Sequence, residues 1–208
     1  MTTDQTFEYA RDDFNYPRFI HKILERMLST AIAKVQANQI QAIAFNRVRQ
    51  VNTLMGVFSL VLGLYGWSAF FVAVWLFLDQ VHLRLFVDRS IPRSRFKHFV
   101  EETPFMIGLS LHMWVQGHLW TGFAGLIGIA GIYLLTNLQM KYNLEALNLP
   151  RLYFLRWDRM GIIALFTLLG AWPGERAYLF VVLLAWFLAA LSFYDYLWIL
   201  IQMAKKKT

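Results

Sequence analysis

The chain has 208 residues, 58% of them hydrophobic and 17% aromatic, with a mean hydropathy of +0.43 and a net charge of +7. So much apolar side chain cannot be hidden in one soluble core of this length, which excludes a soluble globular protein and predicts a single-domain polytopic membrane protein. The lack of cysteine excludes disulfides and thiolate metal sites, and the basic residues fall where membrane topology puts them rather than where nucleic acid would need them.

The stretch "FNYPRFIHKILERMLSTAIAKVQANQIQAIAFNRV" precedes the first crossing. Asn15 can cap a helix and Pro17 suits its first turn. Phe19, Ile20, Ile23, Leu24, Met27, Leu28, Ala31, Ile32 and Val35 then form one apolar stripe, with Arg18, Lys22, Glu25, Arg26 and Lys34 mostly elsewhere. This predicts an N-terminal amphipathic helix lying in the headgroup layer, or packed on the protein's own cytoplasmic loops. No secretory signal is evident in this region.

The low-charge block from Val51 to Leu83 would reach about 50 Å as one helix, against a hydrocarbon core of about 30 Å. A break at Gly66 predicts a first crossing over 48–65 and a second over 67–85. A third covers 103–116, and a fourth 118–138 after the turn in "VQGHLW". A fifth covers 157–172, ended by "WPGE", and a sixth covers 176–203. The fold class is therefore all-α: six transmembrane helices (48–203) after a cytoplasmic N-terminus (1–47), with a basic tail (204–208). All twenty lysines and arginines except Arg176 then lie on one side, which satisfies the positive-inside rule with both termini cytoplasmic, in a bacterial inner membrane or its equivalent. Trp114, Trp120 and Trp172 fall near the far interface and Trp157 near the cytoplasmic one, as an aromatic belt requires. On the fourth crossing, Gly122, Gly125, Gly128 and Gly131 permit close backbone approach, either to another helix of this chain or to a second copy.

Ionisable groups crowd the segment "LDQVHLRLFVDRSIPRSRFKHFVEETPF": Asp79, His82, Asp88, Glu101 and Glu102 form a candidate polar or metal cluster. Asp79 is deep enough to need a partner, whereas Glu101 and Glu102 are expected to open the third helix, where its dipole favours negative charge. Asp195, in "FYDYLW" of the sixth helix, is the other interior acid and is expected to pair with a base or to hydrogen-bond Tyr133. His112 and His118 lie too far around the helix to ligate one metal together; His112 alone is a candidate tetrapyrrole ligand. Nucleophile-elbow, Walker, zinc-protease and dinucleotide motifs are absent.

The order of these features, with "VNTLMGVFSLVLGLYG" after an interfacial helix and "RWDRMGIIAL" at the fifth crossing, resembles the CDP-alcohol phosphatidyltransferase superfamily. That resemblance covers most of the chain as architecture. It implies a cytoplasm-facing site in which carboxylates hold Mg²⁺ or Mn²⁺ against the diphosphate of a CDP-lipid, and a further carboxylate deprotonates the acceptor alcohol. The family motif, DxxDGxxAR followed by GxxxDxxxD, is degenerate here. Asp79 matches the first acid, but His82 and Leu83 replace the second acid and the glycine. With one inserted residue Lys97 replaces the second glycine, Glu101 the third acid and Phe105 the fourth, with Glu102 and His98 in neighbouring turns. The expectation is a phospholipid-binding cavity with lost or altered phosphatidyl transfer. The alternative is an accessory subunit, homo-oligomeric or bound to a membrane partner through the glycine face of the fourth crossing.

Overall fold

A computed structural model of the chain describes residues 18–86, 96–142, 156–174 and 176–207. Among them are seven α-helices: α1 (Arg18–Ala37), α2 (Ala42–Val61), α3 (Tyr65–Leu85), α4 (Phe96–Val115), α5 (Leu119–Tyr142), α6 (Arg156–Gly170) and α7 (Tyr178–Lys207). The described residues contain no strand. Two helices, over Leu119–Leu138 and Tyr178–Lys205, are long and apolar enough to cross a membrane, and Arg159–Gly170 is a shorter apolar one. The sequence predicts six such spans; of the other four, α6 is short, α2 and α4 give part of their length to charged residues, and the last turns of α3 hold Asp79, Gln80, His82 and Arg84.

Several boundaries differ from expectation, each for a local reason. The break between α2 and α3 falls at Gly63, not Gly66. Gly63 has φ +74°, its N–H bonds the Leu60 carbonyl at 3.0 Å and the Leu64 N–H bonds the Ser59 carbonyl at 2.8 Å. This is the left-handed closure that ends helices at glycine. Gly117 (φ +80°) ends α4 in the same way, through bonds from Gly117 to Trp114 and from His118 to Met113. Gln39 (φ +50°) ends α1, although it is not a glycine. Gly63→Ala is expected to cost about 1–2 kcal/mol for the left-handed backbone alone, and its Cβ would also stand 3.2 Å from His112 Cε1. Chemical denaturation of the detergent-solubilised protein measures this.

Consecutive helices α2–α3 and α4–α5 are joined by the turns at 62–64 and 116–118, which with the segments 171–174 and 176–177 between α6 and α7 mark one end of the bundle, here the turn end. The opposite, basal end is where α2, α4 and α6 begin. Close approaches run α2–α3–α6–α7–α5–α4 and back to α2, closing a ring of six helices, with α4 also meeting α6 and α7. The ring is filled by Trp75, Phe105, Met106, Leu109, Met113, Met160, Leu184 and Leu188. Helix α1 lies against α3, and Leu28, Ala31, Ile32 and Val35 pack with Phe77, Leu78, Val81, Leu85 and Phe86.

The four glycines of α5 face α4 and α7 of the same chain. A Cβ on Gly122 would overlap the Trp114 indole and one on Gly125 would overlap Ser110, while one on Gly128 would meet Met106 and the Ala189 backbone. At Gly131 it would stand 2.8 Å from Ser192 Cβ and 3.2 Å from the Ser192 carbonyl carbon. This glycine face is occupied within the fold and so is not a seam for a second copy. Gly131→Leu is expected to push α5 from α7 and cost about 1–3 kcal/mol. Gly161→Ala, with nothing within 4 Å of its Cβ, is expected to gain about 0.5–1 kcal/mol by the helix preference for alanine. Thermal melting of the two variants side by side checks the contrast.

A buried charge network at the basal end

Five of the six helices of the ring carry a buried ionisable residue near the basal end. On α3 the buried stripe is Ser68, Val72, Trp75, Asp79 and His82; on α4 it is Glu102, Phe105, Met106, Leu109 and Met113. On α6 it is Arg159, Met160, Ile163 and Thr167, and on α7 it is Leu184, Leu188, Ser192, Asp195 and Ile199. Arg49 shares the inward face of α2 with Phe45, Asn52, Gly56 and Ser59. These spacings of three and four put charge and core on one face, so the charged groups are buried because their neighbours on the helix are.

The buried charges pair across helices. Arg49 donates through Nη2 to Asp79 Oδ1, tying α2 to α3. Its Nη1 lies 3.4 Å from Asn46 Oδ1, and its guanidinium stands 5.9 Å from the centroid of the Trp75 ring. Arg159 makes a two-pronged pair with Glu102, Nε to Oε2 at 2.9 Å and Nη2 to Oε1 at 3.2 Å. Its Nη1 donates to Asp195 Oδ2 at 3.4 Å, so one arginine of α6 joins α4 and α7. Glu102 is 1% exposed and Asp195 0%, so neither charge is shielded by solvent. At the basal rim, Arg84 grips Glu25 of α1 with two bonds of 2.9 and 2.6 Å, but both side chains are about a third exposed. That pair contributes about 0–1 kcal/mol.

Of the candidate cluster, then, Asp79 and Glu102 are brought into the core but onto different arginines. His82 is buried beside Phe45 and Phe86, with ring centroids 6.2 and 5.7 Å away. Asp88 and the Glu101 side chain lie outside the described residues. The acids do not open a helix as expected: α4 begins at Phe96, its first turn holds no acid, and it runs through Pro104. Glu102 is placed by its core stripe, not by a helix dipole. Phe105, standing where the resemblance expects a base, fills the space against Gly56, whose Cβ would come within 2.9 Å of its ring. Among the described residues no three His, Asp or Glu side chains gather as a metal site. Of the carboxylates that the resemblance would assign to Mg²⁺ or Mn²⁺, Asp79 already accepts from Arg49 and so does not fit a metal-bound diphosphate as arranged; Glu102, the neighbour that would stand in for the base, accepts from Arg159.

His112 lies at the turn end, away from this network. Its Nδ1 is 3.1 Å from the Val61 carbonyl and its Nε2 is 2.5 Å from the Tyr65 hydroxyl. Val61 is the last residue of α2, so the imidazole satisfies a carbonyl that the helix end leaves open. With both nitrogens engaged, His112 could ligate a tetrapyrrole only by giving up one of these bonds.

Arg49 and Arg159 are the functional residues that charge counting along the sequence misses. Counted as topology signals, both look like loop cations. Their phase tells them apart: Arg159 is one residue before Met160 and in step with Ile163 and Thr167, and Arg49 is in step with Phe45, Asn52 and Gly56.

No family model matches the chain, and no curated protein or solved structure is significantly similar to it.

Proposed function

We propose that the chain is a six-span membrane protein with both termini on the cytoplasmic side, a phospholipid-binding scaffold built like the CDP-alcohol phosphatidyltransferases but without phosphatidyl transfer. The observation that carries this is the arginine pairing of Asp79 and Glu102. A carboxylate held by a buried guanidinium is a poor metal ligand, because binding the metal would strand the arginine.

Other features support the membrane layout. The outward face of α2 exposes Val48, Val51, Leu54, Met55, Phe58 and Leu62, an apolar surface that suits lipid and not water. Helix α1 has two apolar faces. Leu28, Ala31, Ile32 and Val35 turn to the bundle, and Ile23 and Met27 remain exposed. At about 100° per residue the second face lies roughly at right angles to the first. That is the arrangement of a helix lying flat on the inner interface with its side against the protein. Arg84 and Glu25 then sit at headgroup depth.

The test is release of CMP from CDP-diacylglycerol with Mn²⁺ across a panel of alcohols. None is expected from folded protein, and Mn²⁺ with the CDP-lipid should leave the melting temperature unchanged. CMP release that Asp79→Asn abolishes would overturn the non-catalytic reading. A reporter fused after Lys207 that emerges outside the cell would overturn the topology.

A further inference from the structure

Three exposed cations stand where α1 leads into α2: Arg26 and Lys34 on α1 and Arg47 on α2. None of them is paired with an acid among the described residues. The sequence offers no acid close by either, since 26–78 contains no Asp or Glu. The acids that flank this stretch are already engaged, Glu25 by Arg84 and Asp79 by Arg49.

Topology would be served by cations placed anywhere on this side, so the information lies in their phase. Arg47 falls inside the outward apolar face of α2. It stands four residues after Ile43 and four before Val51, about 40° around the helix from each, and both of those are more than half exposed. On α1, Lys34 follows Met27 by seven residues, which puts it within about 20° of it. It therefore shares the exposed face that Ile23 and Met27 define. Arg26 stands at the edge of that face, about 60° from Ile23. Exposed apolar side chains with cations set among them suit neither bulk water nor the middle of a bilayer. They suit the depth at which acyl chains give way to anionic phosphates, where a basic side chain reaches up from an apolar footing.

We propose that the outward face of α1 and the first turns of α2 form one docking surface for anionic phospholipid, with headgroups held by Arg26, Lys34 and Arg47 and acyl chains against Ile23, Met27 and Ile43. This rests on the six-span reading and adds to it a preference for lipid charge. An acidic protein surface would answer the cations, but the apolar face of α2 continues from Ile43 through Val51, Leu54 and Phe58 to Leu62, which suits acyl chains and not a charged partner.

The chain has no cysteine, so a single introduced one can be labelled alone. The full-length protein carries a fluorophore at Thr30→Cys, on the exposed side of α1, in phosphatidylcholine nanodiscs. The probes are phosphatidylglycerol and phosphatidylcholine, each spin-labelled near the head of its acyl chain, at equal mole fraction. Phosphatidylglycerol should be preferred at the label by at least about fivefold, the effect of one cation near an anionic surface. That preference should vanish in Arg26→Gln, Lys34→Gln, Arg47→Gln, which changes exposed side chains only. It should persist when Lys205, Lys206 and Lys207 are changed to Gln, an equal loss of charge on the same side. Equal quenching by the two probes, a preference that survives the first triple variant, or one that the tail variant also removes overturns the proposal. A second label at Leu54→Cys, on the outward face of α2, separates the two failures. If the probes quench Leu54→Cys but not Thr30→Cys, the docking surface alone is wrong. If they quench neither, the membrane reading falls with it.

Discussion

Arg159→Ala is expected to lower the stability of the protein by about 3–5 kcal/mol, the range found when one partner of a buried ion pair is removed. The reason is what it leaves behind. Glu102 and Asp195 both accept from Arg159 and both are buried, so the alanine variant takes the guanidinium away from two carboxylates in the core. The arginine's worth is therefore mostly the penalty of its absence. Its net contribution against an apolar core of the same volume is small, because desolvating three charges offsets much of their attraction. The triple variant Arg159→Met, Glu102→Met, Asp195→Leu should for that reason recover most of the loss. Unfolding titrations of the wild type and both variants in one detergent read the difference. A single variant within about 0.5 kcal/mol of wild type, as for a surface substitution, would mean that the charges are not buried together.

The helices were legible in the sequence because their signals are local. Apolar runs, turn glycines and the one-sided charge distribution locate seven helical segments close to those found. Their ends are less legible where two residues compete for one role. Gly63 and Gly66 both look like breakers, and only the position following the last turn of α2 requires a left-handed backbone. The third crossing is expected to start near Thr103, but α4 starts at Phe96 and carries Pro104 inside. Tertiary packing holds the helix through the proline, since Glu102 before it and Phe105, Met106 and Leu109 after it are fixed in the core.

The site was legible by half. Asp79 and Asp195 stand out as interior acids because a carboxylate in an apolar run has no other explanation. Their arginines do not stand out, because a cation near a helix end already has an explanation in topology. Glu102 has the same difficulty, since an acid near a helix start seems accounted for by the dipole. What identifies all three is phase against the buried stripe, which needs the helix boundaries to be right first. The glycines of α5 illustrate the converse. Their spacing announces a close helix contact, but only the fold says that α4 and α7 supply it.

The second large effect separates a structural role for Asp79 from a ligand role. Asp79→Ala removes the α3 carboxylate from Arg49, a cation that is 4% exposed. A loss of about 3–5 kcal/mol is expected. Arg49→Met combined with Asp79→Leu should come back to within about 1–2 kcal/mol of wild type, because packing then replaces a pair that had been costly to desolvate. A metal ligand behaves in the opposite way. Removing a carboxylate from a crowded acidic site relieves repulsion, so the single variant would be as stable as wild type or more so, and would lose any Mn²⁺-dependent rise in melting temperature. The two roles thus predict opposite signs for one substitution measured without metal. A stabilised Asp79→Ala would remove the ground for reading the basal network as an arginine-locked scaffold. A destabilised one, rescued by the apolar double variant, places the energetic role of Asp79 in holding α2 against α3.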